Sequence, residues 1–164
     1  MLATMHRRLA LLRNLLLGSA LLAALEATFA ALTVTENTAP SLGTLLGGLT
    51  GRNFILNTDA TVSGGAGGDY LFGAVAGVLT IKKTGGAQSA NILADNYSVT
   101  EGVIIKGVPC KWHTDTATTC HGSGIDITVQ GNRTLLVGVE IDTDQTHTSA
   151  HSPTATYDIT VTLQ

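Results

Sequence analysis

Ile125-Asp126-Ile127-Thr128-Val129-Gln130 opens the stretch whose reading decides the fold class. Apolar and polar side chains alternate strictly here, and only a pleated strand sends successive side chains to opposite faces. After Gly131-Asn132, the segment Arg133–Ile141 places Leu135, Val137, Val139 and Ile141 on one face. The chain then closes with Tyr157, Ile159, Val161 and Leu163 against Asp158, Thr160 and Thr162. Three half-buried strands therefore end the chain, and their apolar face, carried by Ile127, Val137, Val139, Ile159 and Val161, is expected to be core.

Upstream of Gly124 the same grammar holds with shorter words. Ala31–Glu36 alternates Leu32 and Val34 with Thr33 and Thr35, and Arg52–Thr58 carries the apolar run Phe54-Ile55-Leu56. In Val75–Lys83, Leu79 and Ile81 face one way and Val78, Thr80 and Lys82 the other. Gly85-Gly86 is expected to turn the chain into a separate strand over Ser89–Ala94, and Val103–Val108 forms another. Gly64-Gly65-Ala66-Gly67-Gly68 reads as a hairpin or loop, because no Gly-Lys-Ser/Thr follows to make it a phosphate cradle. Turn signals recur every eight to twelve residues, and no segment carries a 3.6-residue apolar stripe. That spacing is the signature of an all-β antiparallel sandwich or barrel.

Residues 1–30 read as a secretory signal peptide, expected to be helical. Arg7, Arg8 and Arg13 supply the positive start, Leu15–Leu25 the apolar centre, and Thr28-Phe29-Ala30 the cleavage site. The apolar run is shorter than the roughly 20 residues that span a bilayer, and Glu26 follows it, so no stable membrane anchor is expected after cleavage. Residues 31–164 then form a single β-sandwich domain that is exported to the periplasm, the cell surface or the medium. Charged residues make up only 13% of the 164-residue chain and aromatics 4%, which suits a Thr-coated extracellular β domain. Without the leader, six Lys and Arg stand against eleven Asp and Glu, for a net charge of −5. No basic patch exceeds Lys82-Lys83, so nucleic acid is excluded as a partner on electrostatic grounds.

Two cysteines in an exported chain point to a disulfide between Cys110 and Cys120. The rival is a structural zinc held by Cys110, His113, Cys120 and His121. It lacks paired Cys-x-x-Cys spacing, and the adjacent Cys120 and His121 diverge in an extended chain. Trp112 and His113, inside the loop the disulfide closes, are the candidate ligand contacts; Trp112 either packs over the disulfide or stacks on a sugar. His147 and His151, with Asp142 and Asp144, form a weaker candidate metal cluster, although Asp142-x-Asp144 lacks the Gly and Glu of a calcium loop. Asn96-Tyr97-Ser98 and Asn132-Arg133-Thr134 match the glycan acceptor pattern, which has meaning only in a eukaryotic host. No nucleophile elbow occurs and no pair of carboxylates stands out for glycoside hydrolysis, so no catalytic residue, cofactor or metal is assigned.

Leu32-Thr33-Val34-Thr35 followed by Leu42-Gly43-Thr44-Leu45 resembles the opening of the bacterial secreted family called domain of unknown function 4402. That opening carries a Phe-Gly-Thr step in the family, and Leu42 stands here in place of the Phe. Gly77-Val78-Leu79-Thr80-Ile81 resembles its central strand. Leu135-Leu136-Val137-Gly138-Val139 and Ala155–Thr162 resemble its ending. The resemblance implies an immunoglobulin-like antiparallel β-sandwich in a pilin-like or spore-coat-U-like surface protein, with other surface subunits or a periplasmic chaperone as partners. Such subunits join by strand donation. Only Leu32 and Val34 precede Glu36, fewer than the about four alternating apolar residues a donor segment needs, so the first strand is expected in its own sheet. The leading functional expectation is a noncatalytic surface or pilus-like structural subunit. A secreted binding module, with carbohydrate as its ligand and Trp112, Tyr70 and Tyr97 around the site, comes second. A metal-dependent hydrolase using His113, His121, His147 and His151 comes last.

Overall fold

A computed structural model describes residues 31–65, 69–99, 102–143 and 149–164. The signal-peptide reading of residues 1–30, Ala66–Gly68 of the glycine loop, and Asp144 and His147 of the candidate metal cluster lie outside the described residues. Leu32–Gln164 forms one compact unit. It is all-β, and every strand pair is antiparallel. In chain order the strands are β1 Leu32–Thr38, β2 Thr44–Leu45, β3 Asn53–Leu56, β4 Val62–Gly64, β5 Tyr70–Phe72, β6 Gly77–Val99, β7 Val103–Gly107, β8 Pro109–Trp112, β9 Thr118–Thr119, β10 Ile125–Val137, β11 Val139–Thr143 and β12 Ala155–Leu163. Among the described residues no helix is long and apolar enough to cross a membrane.

The spine of the domain is the long ribbon of β6 and β10. The turn expected at Gly85-Gly86 is not a strand end. β6 runs through it for 23 residues, and the disturbance appears instead in the register. Val129 pairs with Gln88 and Gly131 with Lys83, so Thr84–Ala87 bulge opposite the single residue Gln130. A bulge of this size bends the ribbon sharply. Lys83, buried at this step, holds the bend by donating from Nζ to the carbonyl of Gly86 at 2.7 Å.

The bend folds the ribbon back on itself. Gly77 pairs with Val137, whereas Asp95 pairs with Asp158 near the other end of β6. A straight strand would hold those ends roughly 60 Å apart at about 3.3 Å per residue. Yet Tyr157, next to Asp158, donates its hydroxyl to the carbonyl of Gly138, next to Val137, at 2.8 Å. The two halves of β6 and β10 therefore face one another. Leu79, Ile81, Leu135 and Val137 from one half close on Ala90, Ile92, Ile127 and Val129 from the other, forming the first core cluster. β1 flanks the first half of β6, in its own chain as expected, and β12 flanks the second.

The segment Arg133–Ile141, read above as one strand with one buried face, is two strands in two sheets. β10 ends at Val137 in the ribbon, and β11 begins at Val139 in a four-stranded sheet of order β4-β3-β11-β7. The alternation survives the crossing, but Val137 belongs to the first core and Val139 to the second, with Phe54, Leu56 and Ile141. Gly138 makes the crossing possible: a side chain there would run into the backbone carbonyl of Leu56. The core assignment of Ile159 and Val161 also needs correction. Both are half-buried, because β12 pairs only with β6 and no described strand covers its other edge.

Candidate functional site

Cys110 lies in β8 and Cys120 follows β9, and the two form the expected disulfide with Cα atoms 5.8 Å apart. The short β8–β9 hairpin sets this distance by pairing Pro109 with Thr119 and Cys110 with Thr118. Cys120 links the second half of β6 to the residue that precedes β8. Its N–H donates to the carbonyl of Val108, and its carbonyl accepts from the N–H of Ala94. Both cysteines are fully buried in the first core, beside Trp112. With both sulfurs bonded to each other, no thiolate remains for a zinc site.

β8 continues the ribbon beyond β10 by pairing Trp112 with Leu135 and Cys110 with Val137. Trp112 consequently points into the core and is 6% exposed. The chain turns immediately after it. His113 adopts a positive φ of 48°, its N–H donates to the carbonyl of Thr134, and the N–H of Asp115 returns to the carbonyl of Trp112. This turn hangs over β10 at Asp126–Gln130, where no described strand pairs with β10 on the side away from β6. Between turn and edge lies a cleft of about 560 Å³.

The cleft is polar on most of its surface. Trp112, His113 and Asp115 form one wall, and Asp126, Thr128 and Gln130 of β10 form the other. Ser89, Ile127, Arg133 and Gln164 complete it. Asp126 is held in place: its Oδ1 accepts from Asn91 Nδ2 at 2.9 Å and from Gln164 Nε2 at 3.2 Å. Gln164 is itself anchored by a backbone hydrogen bond to Ser89. Trp112 and His113 therefore meet in one cleft. Asp126, Arg133 and Gln164 were missed from sequence, because the chain ends and bends that gather them leave no local signature.

The other sequence candidates lie elsewhere. Tyr70 packs against the second core and accepts from the N–H of Ala74 on its hydroxyl. Tyr97 donates its hydroxyl to the carbonyl of Ala94 and stacks on His121 with ring centroids 5.1 Å apart. Burial, then the charge of Asp95, holds the Tyr97 hydroxyl above its ordinary pKa. Neither tyrosine lines the Trp112 cleft. Asp142 is engaged by Asn53 Nδ2 at 2.9 Å and lies 3.6 Å from Lys106 Nζ. His151 bridges its backbone to Leu45. Among the described residues, no group of three His, Cys, Asp or Glu side chains is placed to hold a metal. The acceptor Asn96 and Asn132 are both exposed, with Asn96 donating to Asp158 at 2.9 Å.

A second cleft, of about 610 Å³, opens along the opposite edge of the ribbon. β1 and β12 are its rims, supplying Val34 and Glu36 from one and Tyr157 and Ile159 from the other, and Leu79 and Val137 lie at its floor. No family model, curated protein or solved structure matches the chain.

Proposed function

We propose that the protein is a noncatalytic, exported structural subunit of a surface or pilus-like assembly, built on an immunoglobulin-like antiparallel β-sandwich. The observation that carries this reading is the open side between β1 and β12. Two edge strands flank an apolar floor there, and the inner face of β12 is only half covered. Strand edges with unpaired N–H and C=O groups are templates for adding a strand from another chain. Five of the seven residues of β1 are exposed, Val34 among them at 39%. The disulfide is compatible with an oxidising, exported compartment. The sequence resemblance to pilin-like surface proteins points the same way, with other subunits or a periplasmic chaperone as the partners that would cover the open side.

Sedimentation velocity over a range of concentrations, with electron microscopy of the same samples, tests the proposal. Assembly through the open side gives higher-order species or fibres that Val34→Lys abolishes. The variant should melt within about 2 °C of the parent, since an exposed substitution costs little. A parent that stays monomeric throughout, or assembles equally well with Lys at position 34, rejects this side as the joining surface.

A further inference from the structure

We infer that the cleft between the β8–β9 hairpin and the open edge of β10 is a binding site for a neutral oligosaccharide. The inference stands on a different face from the proposed assembly side and does not depend on it.

The lining selects the ligand class. Asp115 and Asp126 offer acceptors, Arg133 offers donors, and Ser89, Thr128, Gln130 and Gln164 offer both. Two carboxylates against one guanidinium repel a phosphate or a uronate. So many polar groups reject a purely apolar guest, whose entry would strip them of water. A polyhydroxylated, uncharged ligand matches, because each hydroxyl both donates and accepts. The space, about 560 Å³, falls within the range of small-molecule sites.

The key acceptor is prearranged. Asn91 and Gln164 both donate to Oδ1 of Asp126, which fixes the carboxylate plane and leaves Oδ2 without a hydrogen bond among the described residues. Arg133, on the same strand, makes no ion pair among the described residues, so its donors are available. Trp112 contributes only the margin of its ring, being 6% exposed, so hydrogen bonds rather than stacking carry the recognition. Such bonds exchange with water and leave a small net gain each, which sets Kd on the order of 1 mM for a trisaccharide. His113 and Asp115 sit on the loop the disulfide closes, so the bond maintains one wall of the site.

Trp112 is the single tryptophan of the chain and lines the cleft, so its emission reports occupancy directly. The protein is titrated with maltotriose, cellotriose and triacetylchitotriose to about 20 mM, and with a short peptide of alternating Thr and Val. At least one sugar should give a saturable change in emission, reduced at least tenfold in apparent affinity by Asp126→Ala and by Arg133→Ala. Unchanged thermal unfolding of those exposed or half-exposed positions confirms that the variants are folded. Asn91→Ala, which frees the Asp126 carboxylate without removing it, should weaken binding less. No response to any sugar overturns the inference, as does a response that both variants retain. A response to the peptide alone also overturns it and makes the β10 edge a site for strand addition.

Discussion

Replacing Gly138 by Ala should destabilise the protein, although the same change at a permissive position commonly stabilises. An added methyl at Gly138 would sit on the carbonyl oxygen of Leu56 and 2.9 Å from its carbonyl carbon, against an ordinary contact of 3.4–4 Å. Leu56 cannot retreat freely: it is fully buried, paired with Val139, and part of the second core. Overpacking of this kind costs about 1–3 kcal/mol. The shift also strains two hydrogen bonds made by Gly138, from its N–H to Pro109 at 2.7 Å and from Tyr157 to its carbonyl at 2.8 Å. With about 1 kcal/mol at stake in each, the total is about 3–5 kcal/mol. For a domain of this size that lowers Tm by about 10–18 °C. The control is Gly86→Ala, where a methyl meets nothing within 4 Å. Reduced entropy of the unfolded chain should leave that variant unchanged or about 0.4–1 kcal/mol more stable. Thermal denaturation followed by circular dichroism reads both. A Gly138→Ala protein melting within about 2 °C of the parent would refute the sheet crossing as described.

Val137→Asp should leave the protein unfolded at 25 °C, since an unpaired charge at a site 1% exposed costs several kcal/mol against a total stability of about 5–15 kcal/mol. Ile159→Asp, at a half-buried edge position, should fold and lose about 1–2 kcal/mol in urea titration; equal damage at both sites would show that β12 is covered after all. Lys83→Met keeps the aliphatic stem but removes the donor to Gly86, so it should cost about 1–2 kcal/mol and speed amide exchange around Thr84–Ala87; unchanged exchange there would mean that the lysine does not hold the bend. Burial, followed by the charges of Glu36 and Tyr97, raises the Tyr157 hydroxyl well above its ordinary pKa. The folded state therefore holds that proton more tightly than the unfolded state. Its contribution is complete below about pH 10 and lost as pH rises beyond it. Tyr157→Phe should flatten the alkaline fall in stability, with Tyr97 supplying a remainder, and an equally steep fall in the variant would contradict this reading.

Period-two alternation made the closing strands legible, because it reports side-chain direction residue by residue. It does not report how well a face is covered. Ile159 and Val161 point inward as read, but coverage depends on whether a neighbouring strand exists beyond β12. Nor does alternation register a change of sheet: Val137 and Val139 keep their phase through Gly138 while entering different cores. The Gly85-Gly86 signal was read as a turn because glycines usually end strands. What happens there depends on Gln130, about 45 residues away, which carries the partner strand past the bulge. The Cys110–Cys120 pairing was accessible because a chain with two cysteines has only one way to pair them. Of the residues lining the Trp112 cleft, Trp112 and His113 were likewise visible in residue type. Asp126, Arg133 and Gln164 acquire their role only when the ribbon folds and the C-terminal strand returns to Ser89.

The central claim, that the protein assembles through the side between β1 and β12, is tested most directly by a photo-cross-linking amino acid placed at Val34. At concentrations where the protein assembles, illumination should yield an adduct between two chains. Its cross-linked peptide should map to residues 154–159 or to β1 of the second copy. Assembly without an inter-chain adduct, or an adduct mapping to the exposed outer face of the β4-β3-β11-β7 sheet, would contradict the claim.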